Sequence, residues 1–254
     1  MLNSKELRAR AWESLKGRYW AALAASAIIT LLSIPSSVCS RFGAYIMGIL
    51  AAVFQGGVEL DTNMLVGIVV FFVVAGIAGL FSVLISIFVN GPALVGMSNY
   101  FIKNTGEKPA LSEIFAGFKT RYMKNVGTML LVYVKIYLWM ILFIVPGIIK
   151  SFEYSIVPYI LADSPELSSK DAFKKAKEMM AGNKWRLFKL NISFFGWVLL
   201  CIAPALIVSF ALEVLMPEFI YRELCVFLLG LMAIFVMPYM QAALAEFYME
   251  LKNK

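Results

Sequence analysis

The chain has no histidine at all and only three cysteines in 254 residues. Without histidine it lacks the commonest general base, the commonest metal ligand and the usual pH switch. Cys39, Cys201 and Cys225 sit far apart in apolar surroundings with no CxxC spacing, so neither a disulfide framework nor a zinc site is expected. Charge is also scarce, at 15% of residues against about 25% in ordinary soluble domains. No HExxH, Walker loop, GxSxG or acidic metal cluster occurs. These deficits point away from catalysis. The expectation is a protein that is not an enzyme, with no catalytic, cofactor-binding or metal-binding residues.

Apolar residues are what the chain has in excess. They make up 61%, where about 45–50% is usual, and mean hydropathy is +0.80. A soluble core of this size cannot hide so much apolar surface. A disordered chain, a nucleic-acid-binding domain and a soluble globular domain are thereby excluded, and an all-α integral membrane protein is predicted. The net charge of +7 fits cytoplasmic loops, which collect lysine and arginine, better than a polyanion partner.

Charge-free runs cover 19–40, 42–58, 62–102, 136–149, 190–212 and 224–245. A crossing helix needs about 20 apolar residues. Six crossings follow, near Tyr19–Ser40, Met64–Asn90, Val126–Val145, Ile148–Ala162, Leu187–Leu212 and Leu224–Ala245. The third holds Lys135 and is broken by Pro146-Gly147. The first run exceeds a signal-peptide core of about 7–15 residues, and no A-x-A site follows it, so it reads as a retained anchor.

Base counts orient the chain. Residues 1–18, 103–125 and 163–189 and the tail hold 19 of the 23 lysines and arginines. Both termini are therefore expected in the cytoplasm. Basic segments flank 126–162 on both sides, which makes that stretch a hairpin, spanning or re-entrant.

Each basic segment shows helical apolar spacing: Leu7, Ala11, Trp12 and Leu15; Leu111, Ile114, Phe115, Phe118 and Tyr122; Ala172, Phe173, Ala176, Met179 and Met180. Such helices lie in the headgroup layer beside anionic lipid, or pack on the protein's own cytoplasmic face. Residues 3–20 align without gaps to 168–185, matching Ser4, Lys5, Ala11, Glu13, Gly17 and Trp20 with Ser169, Lys170, Ala176, Glu178, Gly182 and Trp185. Asn3 with Glu6, and Ser168 with Asp171, repeat a capping-box pattern. Pro109-x-Leu111-Ser112 echoes Pro165-x-Leu167-Ser168. Pro158 and Pro238 are each followed four residues on by alanine (Ala162, Ala242), and Pro92 by Gly96. The pattern predicts one membrane domain over 1–254 built from three units, 1–102, 103–163 and 164–254. Each unit is an interfacial amphipathic helix plus a helical hairpin. Pro92, Pro146, Pro158 and Pro238 are the expected kinks, or else simply helix ends.

These pieces resemble a bacterial family of uncharacterised polytopic membrane proteins, a domain of unknown function. The carrying residues are Leu7–Trp20, Val145–Lys150, Tyr154-Ser155, Pro158–Asp163, Met180–Trp185, Leu187–Leu190, Ser193-Phe194, Gly196-Trp197 and Pro238-Tyr239 leading to Phe247-Tyr248. The family looks similar to the membrane domain attached to some glycerophosphodiester phosphodiesterases. What the resemblance implies is a helical membrane protein, multi-pass in the bacterial inner membrane, with no chemistry attached. The 42–58 stretch departs from the pattern.

Ionisable groups within spans are costly. Lys135 lies 11 residues before Pro146 and Glu153 seven after, so an ion pair across the hairpin is expected. Lys150 and Tyr154 complete the candidate intramembrane polar site. It is either a point on a permeation or ligand path or a structural bridge. Ala75, Gly79, Ser82, Ser86 and Asn90 form a small-residue packing stripe. Asp163 and Glu166 read as a helix start. Expected partners are the bilayer and anionic headgroups. The function is membrane transport or a lipid-associated role. The rival is a scaffold, immunity or partner-binding protein.

Overall fold

The computed structural model describes residues 2–32, 61–197 and 218–254, with 199, 200, 203, 204, 207 and 210 between the last two blocks. Every regular element among them is helical. Helix α1 (Ser4–Leu15) is followed by α2 (Tyr19–Leu32). Helix α3 (Thr62–Ile85) continues through a π turn at Ser86–Asn90 into α4 (Gly91–Asn104). A 3₁₀ turn (Leu111–Phe115) and the short α5 (Ala116–Lys119) lead to α6 (Tyr122–Leu142) and α7 (Ile144–Tyr154). Then come α8 (Val157–Asp163), α9 (Ser169–Met180), α10 (Lys184–Ile192) and α11 (Glu218–Lys252). Among the described residues three helical stretches are long and apolar enough to cross a membrane: Leu65–Asn104, Tyr122–Leu142 and Ile144–Asp163. Nine residues of the expected fifth crossing (198, 201, 202, 205, 206, 208, 209, 211 and 212, the Cys201 position among them) and the 33–60 segment with Cys39 and the 42–58 stretch lie outside the described residues, as does the Cys225 side chain.

Several expected boundaries move. The second long helix does not stop at Asn90 but runs through Pro92 to Asn104. Proline has no N–H to give the carbonyl four residues back, which here is Phe88. The Tyr122 hydroxyl donates to that carbonyl at 2.8 Å, and the adjacent π turn takes up the misfit. Near Pro238, Tyr19 donates to the Phe235 carbonyl at 2.6 Å, one residue past the carbonyl that this proline leaves without a donor, and Pro238 stays inside α11. The hairpin turns at Phe143, whose backbone is extended, not at Pro146-Gly147. Pro146 and Pro158 instead sit in the first turns of α7 and α8, where a missing N–H has no intrahelical partner to lose. Tyr122→Phe, which deletes only the capping hydroxyl, is expected to cost about 1 kcal/mol. In a detergent melt this appears as a drop of about 2–4 °C, with exposed Tyr137→Phe unchanged.

Burial divides the molecule. Side chains along α3 and around the hairpin turn are exposed and apolar, while α4, α8 and the last part of α11 form a packed end with Met97, Tyr100, Phe101, Ile160, Leu161, Phe247 and Tyr248 inside. The amphipathic segments turn their apolar faces into this end. Leu7, Ala11 and Leu15 of α1 are buried, with α1 lying on α11. Ala172, Ala176 and Met180 of α9 are buried, with α9 lying on α7 and α8. Of these apolar faces, Leu7, Ala11, Leu15, Ala172, Ala176 and Met180 thus pack on the protein, while Trp12, Leu111 and Phe115 stay exposed.

The expected helix over 111–122 is broken into the 3₁₀ turn and α5, because two glycines let backbones touch there. A Cβ on Gly96 would stand 2.7 Å from the Ile114 carbonyl carbon, and one on Gly117 would stand 2.9 Å from the Gly96 nitrogen. Arg121 then adopts a left-handed conformation, φ 47°, before α6 begins. The two segments aligned without gaps share local features. Helices α1 and α9 are each 12 residues long. Gly17 and Gly182 follow them with φ of 74° and 72°, a region where glycine is unstrained. The buried positions Leu7, Ala11 and Leu15 correspond one for one to Ala172, Ala176 and Met180.

Candidate functional site

Helix α6 carries Lys135, and α7 carries Lys150, Glu153 and Tyr154, so the hairpin brings the four expected residues to facing walls. Helices α9 and α10 close the remaining sides. Glu153 is 2% exposed, and Lys150, one turn before it, bonds one carboxylate oxygen at 2.7 Å. The other oxygen is taken by Lys184, the first residue of α10. The expected Lys135–Glu153 pair is therefore replaced. With the turn at Phe143, Lys150 and Lys184 reach both oxygens, and Lys135 faces α9 instead. Its ammonium lies 3.5 Å from the centre of the Phe173 ring and 5.8 Å from that of Tyr154. Cation–π attraction holds it there.

Lys150 shares the same aromatic wall, 5.7 Å from Tyr154 and 5.9 Å from Trp139. Tyr154 itself is buried edge-on against Phe173, with ring centres 5.3 Å apart. Two ammonium groups thus share one carboxylate, and a third lies on the aromatic rings beside it. Trp139, Ile149 and Trp185, near them in the chain, are exposed. Lys184 opens α10 near the end of the basic stretch 163–189, so the cluster sits where the apolar hairpin meets the packed end.

Two further polar groupings were not foreseen. Between α4, the 3₁₀ turn and α8 lies a cavity of about 170 Å³ lined by Asn99, Lys103, Glu113 and Asn125. Lys103 pairs with Glu113 at 2.8 Å, and this bond is the main reason the Glu113 carboxyl is held below its ordinary value, against a smaller upward push from burial. The second grouping ties both chain ends together. Arg186 bonds both Glu250 oxygens, at 2.9 and 2.8 Å, and the Leu2 carbonyl at 2.9 Å. Burial raises the Glu250 carboxyl, but the Arg186 bonds and the Leu2 N–H outweigh it and leave it lowered. Asp163 does not start a helix. It ends α8 and accepts from Tyr248 at 3.0 Å and Lys252 at 2.7 Å.

Sequence spacing gave no hint of Lys184, since 31 residues separate it from Glu153. Only the gapless alignment offers a trace: it pairs Lys184 with Tyr19, and each reaches out from the first position of its helix to a distant helix.

Among the described residues every regular element is helical and three helices are long and apolar enough to span a membrane, which are features of a membrane protein. Over residues 140–254 it matches the model of a family described as "Protein of unknown function (DUF975)". That stretch contains Lys150, Glu153, Tyr154 and Lys184 and begins after Lys135. Neither the curated proteins nor the solved structures contain a match to the chain.

Proposed function

We propose that this is a non-enzymatic, multi-pass protein of the bacterial cytoplasmic membrane that acts by binding anionic lipid, in preference to a permeation role. The observation that carries the reading is the charge balance at the hairpin. Lys150 and Lys184 share the one carboxylate of Glu153, and Lys135 rests on the adjoining Phe173 and Tyr154 rings, so excess positive charge stands beside exposed tryptophans at the edge of an apolar surface. That is the setting in which basic side chains meet headgroups. A permeation path would instead want polar groups along the bundle axis. There the packed end is filled by Tyr100, Tyr159 and Tyr248.

The reading keeps six crossings in three units with both termini inside. Its support is the base distribution, the matched α1 and α9, and the way each amphipathic segment packs against a proline-bearing helix of another unit. The likeness to the membrane domain of glycerophosphodiester phosphodiesterases, densest over 145–197, would suit a lipid-facing role. The test is lipid co-purification from nanodiscs of mixed phosphatidylethanolamine and phosphatidylglycerol. Anionic lipid enriched several-fold over the bulk composition is expected. Retention at bulk composition would remove the reading in favour of a scaffold.

A further inference from the structure

Lys150 and Lys184 satisfy both oxygens of Glu153. Lys135 has no carboxylate partner among the described residues and rests on the faces of Phe173 and Tyr154. Lys150 approaches the same Tyr154 ring from 5.7 Å. Two like charges therefore converge on one buried tyrosine, in a site whose one carboxylate is already shared. A doubly bonding anion is the group that would relieve this, and phosphate oxygens bind ammonium groups as strong, charge-assisted acceptors. The site also stands beside exposed apolar side chains, Trp139 from α6 and Ile149 from α7, which a free phosphate compound would leave uncovered and acyl chains would cover.

We propose that Lys135 and Lys150 together hold the phosphate of one anionic lipid headgroup. Its acyl chains lie along the exposed face of the hairpin, and Lys184 remains on Glu153. This assignment rests on the lipid-binding reading above and makes it specific to one site. Tyr154 and Phe173 position the Lys135 ammonium, and Glu153 keeps the second ammonium from drifting out to water.

Native mass spectrometry of the purified full chain, with phosphatidylglycerol titrated in, tests the assignment. The wild type is expected to retain one tightly held phosphatidylglycerol. Lys135→Gln and Lys150→Gln should each weaken that retention about tenfold. Lys135→Arg, which keeps the charge, should hold the lipid and show that the loss is not one of fold. Lys108→Gln, removing an exposed charge in the loop after α4, serves as the reference and should change nothing. If the Lys135 and Lys150 variants lose no more lipid than the Lys108 variant, the site is wrong while lipid binding stands. Should the wild type retain no anionic lipid in preference to phosphatidylethanolamine, the underlying reading fails as well. Displacement of the lipid by millimolar glycerol phosphate would identify a free phosphate compound as the ligand and overturn the lipid assignment.

Discussion

Gly96→Ala is expected to destabilise the packed end by about 3 kcal/mol, at the upper end of overpacking costs. The new methyl carbon would meet the Ile114 carbonyl group, its carbon at 2.7 Å and its oxygen closer still, and would lie 3.4 Å from the Gly117 nitrogen. These neighbours are backbone atoms, so no side-chain rotation can make room. Gly117→Ala meets the same barrier from the other side, against the Pro92 carbonyl and the Gly96 nitrogen. Relief would require α4 to move away from the 3₁₀ turn. That shift would open the cavity lined by Lys103 and Glu113 and uncover Ile114, which is fully buried. Gly127→Ala provides the contrast. Nothing lies within 4 Å of its added carbon, so the ordinary helical preference for alanine applies, worth about 0.5–1 kcal/mol in favour of the variant. Melting in detergent should show falls of roughly 6–12 °C for the first two variants and no fall for the third. Equal behaviour of all three would mean that the backbones do not touch.

The second large effect belongs to Glu153. Glu153→Gln leaves Lys150 and Lys184 facing each other without a counter-charge. Breaking a buried pair in this way costs about 3–5 kcal/mol. The low end applies here, because the two lysines remain 24% and 33% exposed and can turn toward solvent. Lys135→Met should behave in the opposite way. Removing it loses a cation–π contact worth about 0.5–2 kcal/mol. It also relieves the cost of a lysine in apolar surroundings, about 2.5–3.5 kcal/mol at the centre of a span and less at the level where this cluster sits. A neutral or slightly stabilised protein follows. The two terms nearly cancel for folding. Double-mutant cycles separate the pairs. Glu153→Gln with Lys184→Met should couple by about 1–3 kcal/mol, whereas Glu153→Gln with Lys135→Met should couple far less. A Lys135→Met variant as damaged as Glu153→Gln would show that Lys135 is part of the bridge and would weaken the lipid site built on it.

Much of this was written along the chain. Apolar runs and sparse charge are local quantities, and they mark Leu65–Asn104, Tyr122–Leu142 and Ile144–Asp163 as helices able to cross a membrane. The capping residues and glycines of 3–20 and 168–185 are also local, because a cap or a positive φ concerns only its nearest neighbours. That is why α1 and α9 end in the same turn with the same three positions buried. The candidate residues Lys135, Lys150, Glu153 and Tyr154 stood out for a similar reason, as charges within apolar runs.

Tertiary structure decided the rest. An apolar stripe shows which face of a helix seeks cover but not what supplies it, and only the packing of α1 on α11 and of α9 on α7 and α8 showed that protein covers Leu7, Ala11, Leu15, Ala172, Ala176 and Met180. A proline announces a lost hydrogen bond, yet whether the helix stops or continues depends on a donor from elsewhere. For Pro92 that donor is Tyr122, 34 residues from the carbonyl it serves. The partner of Glu153 is the same kind of fact. Charge alone allowed Lys135, but the turn at Phe143 and the arrival of α10 brought Lys150 and Lys184 to the carboxylate first and left Lys135 on the Phe173 ring. An ion pair forms between the groups that the fold brings within reach, and reach across distant helices is not encoded in spacing along the chain.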